Sequence, residues 1–416
     1  MLVKELSSKT AAFFCLAFTG TIVSIFILNY CDFFYDLGII AKDRLIENPL
    51  LAFFMTPIMF WISAFICRKF AQNAAGSSLD HVKSALITLE KDPNSFEKIS
   101  TFLNLKIVIV NCISSLVSTY GGGALGREAP AVHMSVSIFA VVASKLKSII
   151  PAITLEAWIY AGSASGLAIA FNAPIAGFIY VVERLLIAKS RHNFISNICW
   201  SAAALFVAIV ILRKTDPLFA TYPINFELSF QLVMVTLVAM ICGITAFLLK
   251  KIAILFYKKF AEIKSNLWHL VPIMTGFGVS IVSIYAGVYS FSGGIKTAQD
   301  ILSNIEPVIG NKEVFGRLAN TILTFSSGSA GGLVAPAVAI GANIGSAVSL
   351  VANTLDAKIF ILGGMAAFLS PILSVPFAAA MVILETTDQS LMAFPFLIFS
   401  SLISFVVSKL TDKFVE

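Results

Sequence analysis

The stretch Gly126-Arg-Glu-Ala-Pro-Ala-Val132 lies between two apolar runs, Ile107–Leu116 and Val132–Val142. It returns 206 positions on (126 to 332) as Gly332-Leu-Val-Ala-Pro-Ala-Val338, so both copies read G-x-x-A-P-A-V. Few features constrain a fold more. A proline is tolerated in the first turn of a helix, where its missing N–H has no partner to lose, so Pro130 and Pro336 each mark a helix start inside an apolar region. A helix that starts there leaves its first N–H groups unpaired and the positive end of its dipole directed outward. That combination is an anion site made of backbone. The first copy also carries Arg127 and Glu128, and ionisable groups at membrane depth are costly and generally functional.

A second duplication supports the first. Gly162, Pro174 and Glu183 are spaced by 12 and 9 residues, and so are Gly364, Pro376 and Glu385. Broken apolar segments in corresponding places of two halves point to a transport site at the repeat interface. The spacing alone leaves the relative orientation of the halves open; an odd number of spans per half would invert them.

Composition sets the solvent. The chain is 58% hydrophobic and 12% charged, against about 25% charged in soluble domains, and its mean hydropathy is +0.90. Long continuous apolar runs exclude a β-barrel, whose signature is short alternating segments. The class is therefore an all-α polytopic membrane protein, expected as one transmembrane anion-transport domain over residues 1–416, with approximate halves 10–192 and 193–410. The net charge of +6 reports topology rather than nucleic acid, because Lys and Arg are scattered among short loops. Cys15, Cys31, Cys67, Cys112, Cys199 and Cys242 have no C-x-x-C spacing and read as reduced thiols; the four histidines form no metal-ligand pattern. No cofactor or metal is expected.

Along the chain, Ala11–Leu28 reads as a retained first span with a cytoplasmic N-terminus, and Leu50–Cys67 as the second, ending at Arg68-Lys69. Glu90–Ser100 reads as a wet loop. Leu155–Leu186 is interrupted at Phe171-Asn-Ala-Pro-Ile-Ala176, so Asn172 and Pro174 break it into two helices. Further spans are expected over Ile195–Leu212, Leu228–Leu249, Leu270–Val288, Thr321–Phe325 leading into the second motif, Ile340–Val351, Ile359–Leu369, Ala378–Leu384 and Leu391–Val407. The basic residues Arg184, Lys189, Arg191, Lys250, Lys251, Lys258, Lys259 and Lys264 mark cytoplasmic ends.

These residues resemble the CLC family of chloride channels and chloride–proton antiporters, in its bacterial form. Gly126-Arg-Glu-Ala-Pro130 is similar to that family's G-[KR]-E-G-P, Gly331-Gly-Leu-Val-Ala-Pro336 to its G-G-x-F-x-P, and Ala170-Phe-Asn-Ala-Pro-Ile-Ala-Gly177 to its F-N-A-P-L-A-G. Ala74-Ala-Gly-Ser-Ser-Leu-Asp80 is similar to its G-S-G-I-P loop, keeping Gly76 and Ser77. The resemblance implies two inverted-topology repeats of broken and re-entrant helices, and a homodimer with an anion pathway in each subunit; the compact form and the absence of an organelle signal point to a bacterial inner membrane. It implies that backbone N–H groups at Arg127, Glu128 and Ala129, and at Leu333, Val334 and Ala335, bind the anion. Gly76 and the Ser77 hydroxyl would hold it further in, and the Glu128 carboxylate would be the gate. Gly126, Pro130, Asn172, Pro174, Gly332 and Pro336 would be structural, and the nucleotide-binding cystathionine-synthase-type domains of many relatives are not expected.

The sequence also departs from the family pattern. Arg184 stands where its transporters carry an inner, proton-relaying glutamate, Val334 replaces the phenylalanine, and the pore tyrosine position lines up with Glu416. Chloride transport is the expectation, with proton coupling left open and a fluoride–proton antiporter as the alternative within the family. From other classes, an unrelated organic-anion carrier would want a wider cavity and a carboxylate-binding arginine. An enzyme would want a Ser/His, Asp/Asp or H-E-x-x-H arrangement, and none stands in the apolar runs. Glu128 has the plainer alternative of merely stabilising its own helix, Ser77 of capping one, Arg127 of anchoring to lipid, and His133 of being a satisfied helix histidine.

Overall fold

A computed structural model describes residues 2–91, 96–146, 149–150, 153–188, 194–212, 217–224, 230–263, 266–303, 311–352 and 357–415. In chain order the elements are α1 (Leu2–Glu47), α2 (Pro49–Phe70), β1 (Gly76–Ser77), α3 (Ser78–Lys91), α4 (Phe96–Ser100), α5 (Leu105–Tyr120), α6 (Glu128–Leu146), α7 (Leu155–Phe171), α8 (Pro174–Ala188) and α9 (Phe194–Leu212). The second half adds α10 (Phe230–Glu262), α11 (Leu270–Ala286), α12 (Ile295–Leu302), α13 (Asn311–Ser326), β2 (Ala330–Gly331), α14 (Val334–Ala352), α15 (Ala357–Leu373), α16 (Pro376–Thr386) and α17 (Phe394–Val415). Among the described residues, 7 helical segments are long and apolar enough to cross a membrane, and shorter apolar helices pack among them. This is an integral membrane protein of the helical class.

Local chemistry sets the boundaries. Asn48 and Asn104 cap α2 and α5, accepting from Leu51 N at 3.1 Å and Ile107 N at 2.9 Å, and Thr154 Oγ1 caps α7 by accepting from Ala157 N at 3.2 Å. Asn172 takes the left-handed conformation (φ 54°) that ends α7, and Pro174 opens α8. Ser374 (φ 59°) and Pro376 do the same between α15 and α16. Pro371 cannot donate to the carbonyl four residues back; Ser404 Oγ donates to that Ala367 oxygen at 2.6 Å.

The halves are inverted with respect to one another, and α8 and α16 show it directly. Glu183, near the end of α8, accepts from Phe377 N (3.2 Å) and Ala378 N (2.9 Å) in the first turn of α16. Glu385, near the end of α16, accepts from Ile175 N (3.1 Å) and Ala176 N (2.6 Å) in the first turn of α8. Each helix is closed at its start by the carboxylate at the other's finish, which only an antiparallel pair allows. The duplicated Gly-x11-Pro-x8-Glu spacing thus serves a reciprocal cap. Elsewhere small residues let helices touch backbone to backbone: a Cβ on Gly345 of α14 would meet the Phe360 carbonyl oxygen of α15 at 2.1 Å.

Several boundaries differ from the sequence reading. α1 continues past Leu28 to Glu47 as one 46-residue helix, because no proline or glycine pair interrupts it. Phe96–Ser100, in the expected wet loop, is a short helix. α12 was not anticipated: at eight residues it is shorter than any span that hydropathy can reveal. Lys189, Arg191, His192 and Lys264 lie outside the described residues.

Candidate functional site

The two motif copies meet. Gly126 N donates to Gly332 O at 2.7 Å and Gly332 N to Gly126 O at 3.0 Å, forming an isolated antiparallel bridge. Beside it β1 and β2 run parallel, with Gly76 opposite Ala330 and Ser77 opposite Gly331, and Gly76 N donates to Ser329 O at 3.1 Å. The starts of α6 and α14 and the end of the Gly76 loop are thereby drawn to one place by main-chain bonds. In both copies the residue before the helix supplies the first accepting carbonyl: Arg127 O takes Ala131 N at 3.1 Å and Leu333 O takes Ala337 N at 2.9 Å. The N–H groups at the starts of α6 and α14 have no carbonyl of their own helix to donate to.

Glu128 sits at this junction and is 1% exposed. Neither carboxylate oxygen completes a hydrogen bond of full geometry, but the N–H groups of Glu128 itself and of Ala335 are directed at it. Gly126 makes room for it: a Cβ there would lie 2.4 Å from Glu128 Oε2 and 2.9 Å from Ala335 N. A buried carboxylate thus lies between two helix starts, each the positive end of a dipole. Ala129, Val334 and Ala335 are buried around it and Leu333 nearly so, leaving an environment of backbone and small apolar side chains. The Ser77 side chain lies outside the described residues.

The Arg127 side chain is buried beside Glu128, and its Nη1 donates to Cys31 O in α1 at 2.9 Å, so it braces the motif against α1. His133 is fully buried with Nε2 at 2.9 Å from Phe102 O and Nδ1 without a hydrogen-bond partner, so the satisfied-histidine reading holds for one ring nitrogen. The cysteines are free thiols, and no group of His, Cys, Asp or Glu among the described residues could hold a metal ion.

Other positioning residues escaped the sequence reading. Ser114 Oγ accepts from Ala330 N at 3.1 Å, and Thr324 Oγ1 from Ala124 N at 3.1 Å; these hydroxyls hold the two motif loops. The only signal was a run of hydroxyls at helical spacing in α5: Ser114, Ser115, Ser118 and Thr119. A cavity of about 280 Å³ reaches the site from one side, its inner end at Gly76, Leu333 and Val334 and its walls including Arg184, Lys250 and Tyr257. Basic residues cluster at that face, which positive-inside counting assigns to the cytoplasm.

Inverted halves of broken helices, joined where two helix starts face each other, define a duplicated membrane transport fold. The family model for the voltage gated chloride channel matches residues 59–409, and the chain belongs to that family. The H(+)/Cl(-) exchange transporter ClcA of Citrobacter koseri is 26% identical over 370 residues, spanning 84% of this chain and 73% of that protein. ClcA of Vibrio cholerae is 24% identical over 377 residues, spanning 84% and 75%. Among solved structures, a slow cyanobacterial Cl-/H+ antiporter superposes with a TM-score of 0.76 at 18% identity, covering 96% of this chain and 94% of its own. A CLC-type fluoride/proton antiporter gives 0.75 at 19%, covering 96% and 95%. Family membership sets aside the unrelated organic-anion carrier.

Proposed function

We propose that this protein carries chloride across a bacterial inner membrane, working as a homodimer with one pathway per subunit and Glu128 as the gate of each. The observation that carries the reading is the Glu128 carboxylate, buried between the starts of α6 and α14 and facing the N–H groups of Glu128 and Ala335. Its charge occupies the place an anion would take, so the carboxylate and the anion compete for the same backbone N–H groups at Arg127, Glu128, Ala129, Leu333, Val334 and Ala335. Protonation removes the competitor, and swinging out opens the station. Gly76 and Ser77 supply the next station inward. The ClcA relatives exchange chloride for protons by name, which favours chloride. The Arg184 guanidinium offers donors and no acceptor, so a proton bound for Glu128 travels by water rather than through that side chain.

Fluoride is the second reading, favoured by Val334 at the site and by the solved fluoride/proton antiporter, which covers the chain as fully as the chloride one. Purified protein in liposomes separates them: chloride or fluoride efflux is recorded together with proton movement, with and without a protonophore, for wild type and Glu128→Gln. Chloride efflux in the wild type is expected, with any chloride-driven proton uptake abolished in Glu128→Gln. Fluoride efflux with chloride excluded would replace the first reading by the second. Absence of both fluxes from monodisperse protein would refute the two together.

A further inference from the structure

Beside the pathway, toward the cytoplasmic ends of α10, α15 and α17, lies a second cavity of about 340 Å³, within the roughly 300–1,000 Å³ of small-molecule pockets. Phe247 and Ile254 of α10, Pro371 of α15 and Phe405 of α17 give it apolar walls. Its charges are Lys250, Lys251 and Lys409, against the carboxylate of Asp412. Lys250 is engaged by the end of α15, 3.4 Å from Pro371 O and from Ser374 Oγ, and is left out of the balance. Lys251 and Lys409 are exposed. Among the described residues they stand over rings rather than in ion pairs: Lys251 Nζ is 5.3 Å from the Phe247 centroid and Lys409 Nζ 5.8 Å from the Phe405 centroid. A ring leaves a cation its full charge, so these two lysines against Asp412 leave a single positive charge, the complement of a phosphodiester.

The surroundings decide which anion fits. Exposed Ile244 and Leu248 precede Lys251 on α10, and exposed Leu402 and Val406 precede Lys409 on α17. The spacings are 4 and 3 residues on both helices, and residues three and four apart share a helix face. Both helices are long and apolar enough to span, so on each an apolar stripe rises out of the hydrocarbon and ends at a cation beside the groove. A soluble anion would use the cations alone. A molecule with apolar chains and one negative headgroup matches the stripes and the cations together, and basic pockets between spans on the cytoplasmic side bind such headgroups. We infer that the groove between α10 and α17 is a binding site for an anionic phospholipid of the cytoplasmic leaflet. Lys251 and Lys409 hold its phosphodiester, and its chains lie along the two stripes. Lys250, Ile254 and Ser374 line both this groove and the pathway cavity, so the bound headgroup shares a wall with the pathway. The site needs only the fold and a bilayer, and does not rest on the chloride reading.

Native mass spectrometry of the full-length protein in detergent tests it, with phosphatidylglycerol or phosphatidylcholine of matched chains added. Phosphatidylglycerol is expected to be retained at the lower concentration. Its half-saturating concentration should rise about fivefold for each of Lys251→Gln and Lys409→Gln. Lys69→Gln and Lys259→Gln remove the same charge from exposed positions of the same face outside the groove, and are expected to leave it unchanged. Equal retention of the two lipids by the wild type, or equal effects of the two pairs of substitutions, overturns the inference. Ser408→Trp fills the groove while keeping every charge and is expected to abolish the preference for phosphatidylglycerol; a preference that survives it overturns the site. Displacement of the lipid by an excess of inorganic phosphate would make this an ion site. A changed oligomeric state of Ser408→Trp in size-exclusion chromatography, with lipid retention intact, would make the groove a contact between copies. Either result overturns the phospholipid.

Discussion

Glu183 offers the sharpest test of how the halves hold together. Its carboxylate accepts two backbone N–H groups at the start of α16 and is 9% exposed. A hydrogen bond to a charged group contributes about 1.5–3 kcal/mol. Two such bonds, taken at the low end because partial exposure admits some water, give about 3 kcal/mol. Glu183→Ala removes both, which lowers the folded-to-unfolded ratio about 150-fold. Glu183→Gln keeps one accepting oxygen and costs about half as much. With an unfolding entropy of about 2.1 cal/mol/K per residue, 3 kcal/mol corresponds to about 3–4 °C in a chain this long. The assay is thermal unfolding in detergent, paired with amide hydrogen exchange at Phe377 and Ala378. Exchange at those two amides should rise in Glu183→Ala, with Ile175 and Ala176 unaffected because Glu385 still holds them. Unchanged exchange at residues 377 and 378, or an Ala variant no less stable than the Gln variant, would refute the reasoning.

Three further substitutions probe other parts of the fold. Gly345→Leu should abolish monodisperse protein in size-exclusion chromatography, because its Cβ would fall 2.1 Å from the Phe360 oxygen and force α14 off α15. Asn172→Gly should leave the melting temperature within about 0.5 °C of wild type while Asn172→Ala lowers it by about 1–2 °C, since the φ of 54° is open to glycine and to asparagine, whose short polar side chain bonds locally, but costs alanine about 1–2 kcal/mol. Arg317 is fully buried and donates to the Tyr289, Phe291 and Ser292 carbonyls and to Thr297 Oγ1. Arg317→Lys, lacking the planar fork, should lose about 3 kcal/mol or more, read as a lower melting temperature with flux lost in proportion to folded protein.

Helix breaks were legible because proline and left-handed residues act locally. Asn172 with Pro174, and the two G-x-x-A-P-A-V copies, name their helix starts without tertiary context. The inverted pairing was half legible: the spacings of Glu183 and Glu385 stood in the sequence, but not which N–H groups each carboxylate takes. Ser114 and Thr324 were hidden because a hydroxyl in an apolar helix is as readily bonded to its own preceding turn, as Thr119 is to Ser115 O. The wall of the cytoplasmic cavity was hidden for another reason. Arg184 on α8 is far in the chain from Lys250 and Tyr257 on α10, and Lys250 reads as one more basic residue at a span end.

The reciprocal cap also sets an order of events during synthesis. The partners of Ile175 and Ala176 lie 210 and 209 residues further along the chain. At about 5–20 residues per second, the start of α8 waits on the order of 10–40 s before Glu385 exists to close it. Over that interval the first half is already in or at the bilayer with those N–H groups uncapped, and Glu183 has as yet no α16 to cap. The last stretch of the chain to emerge therefore completes the first half and is itself completed by it, so a ribosome that stops before residue 385 leaves both halves open.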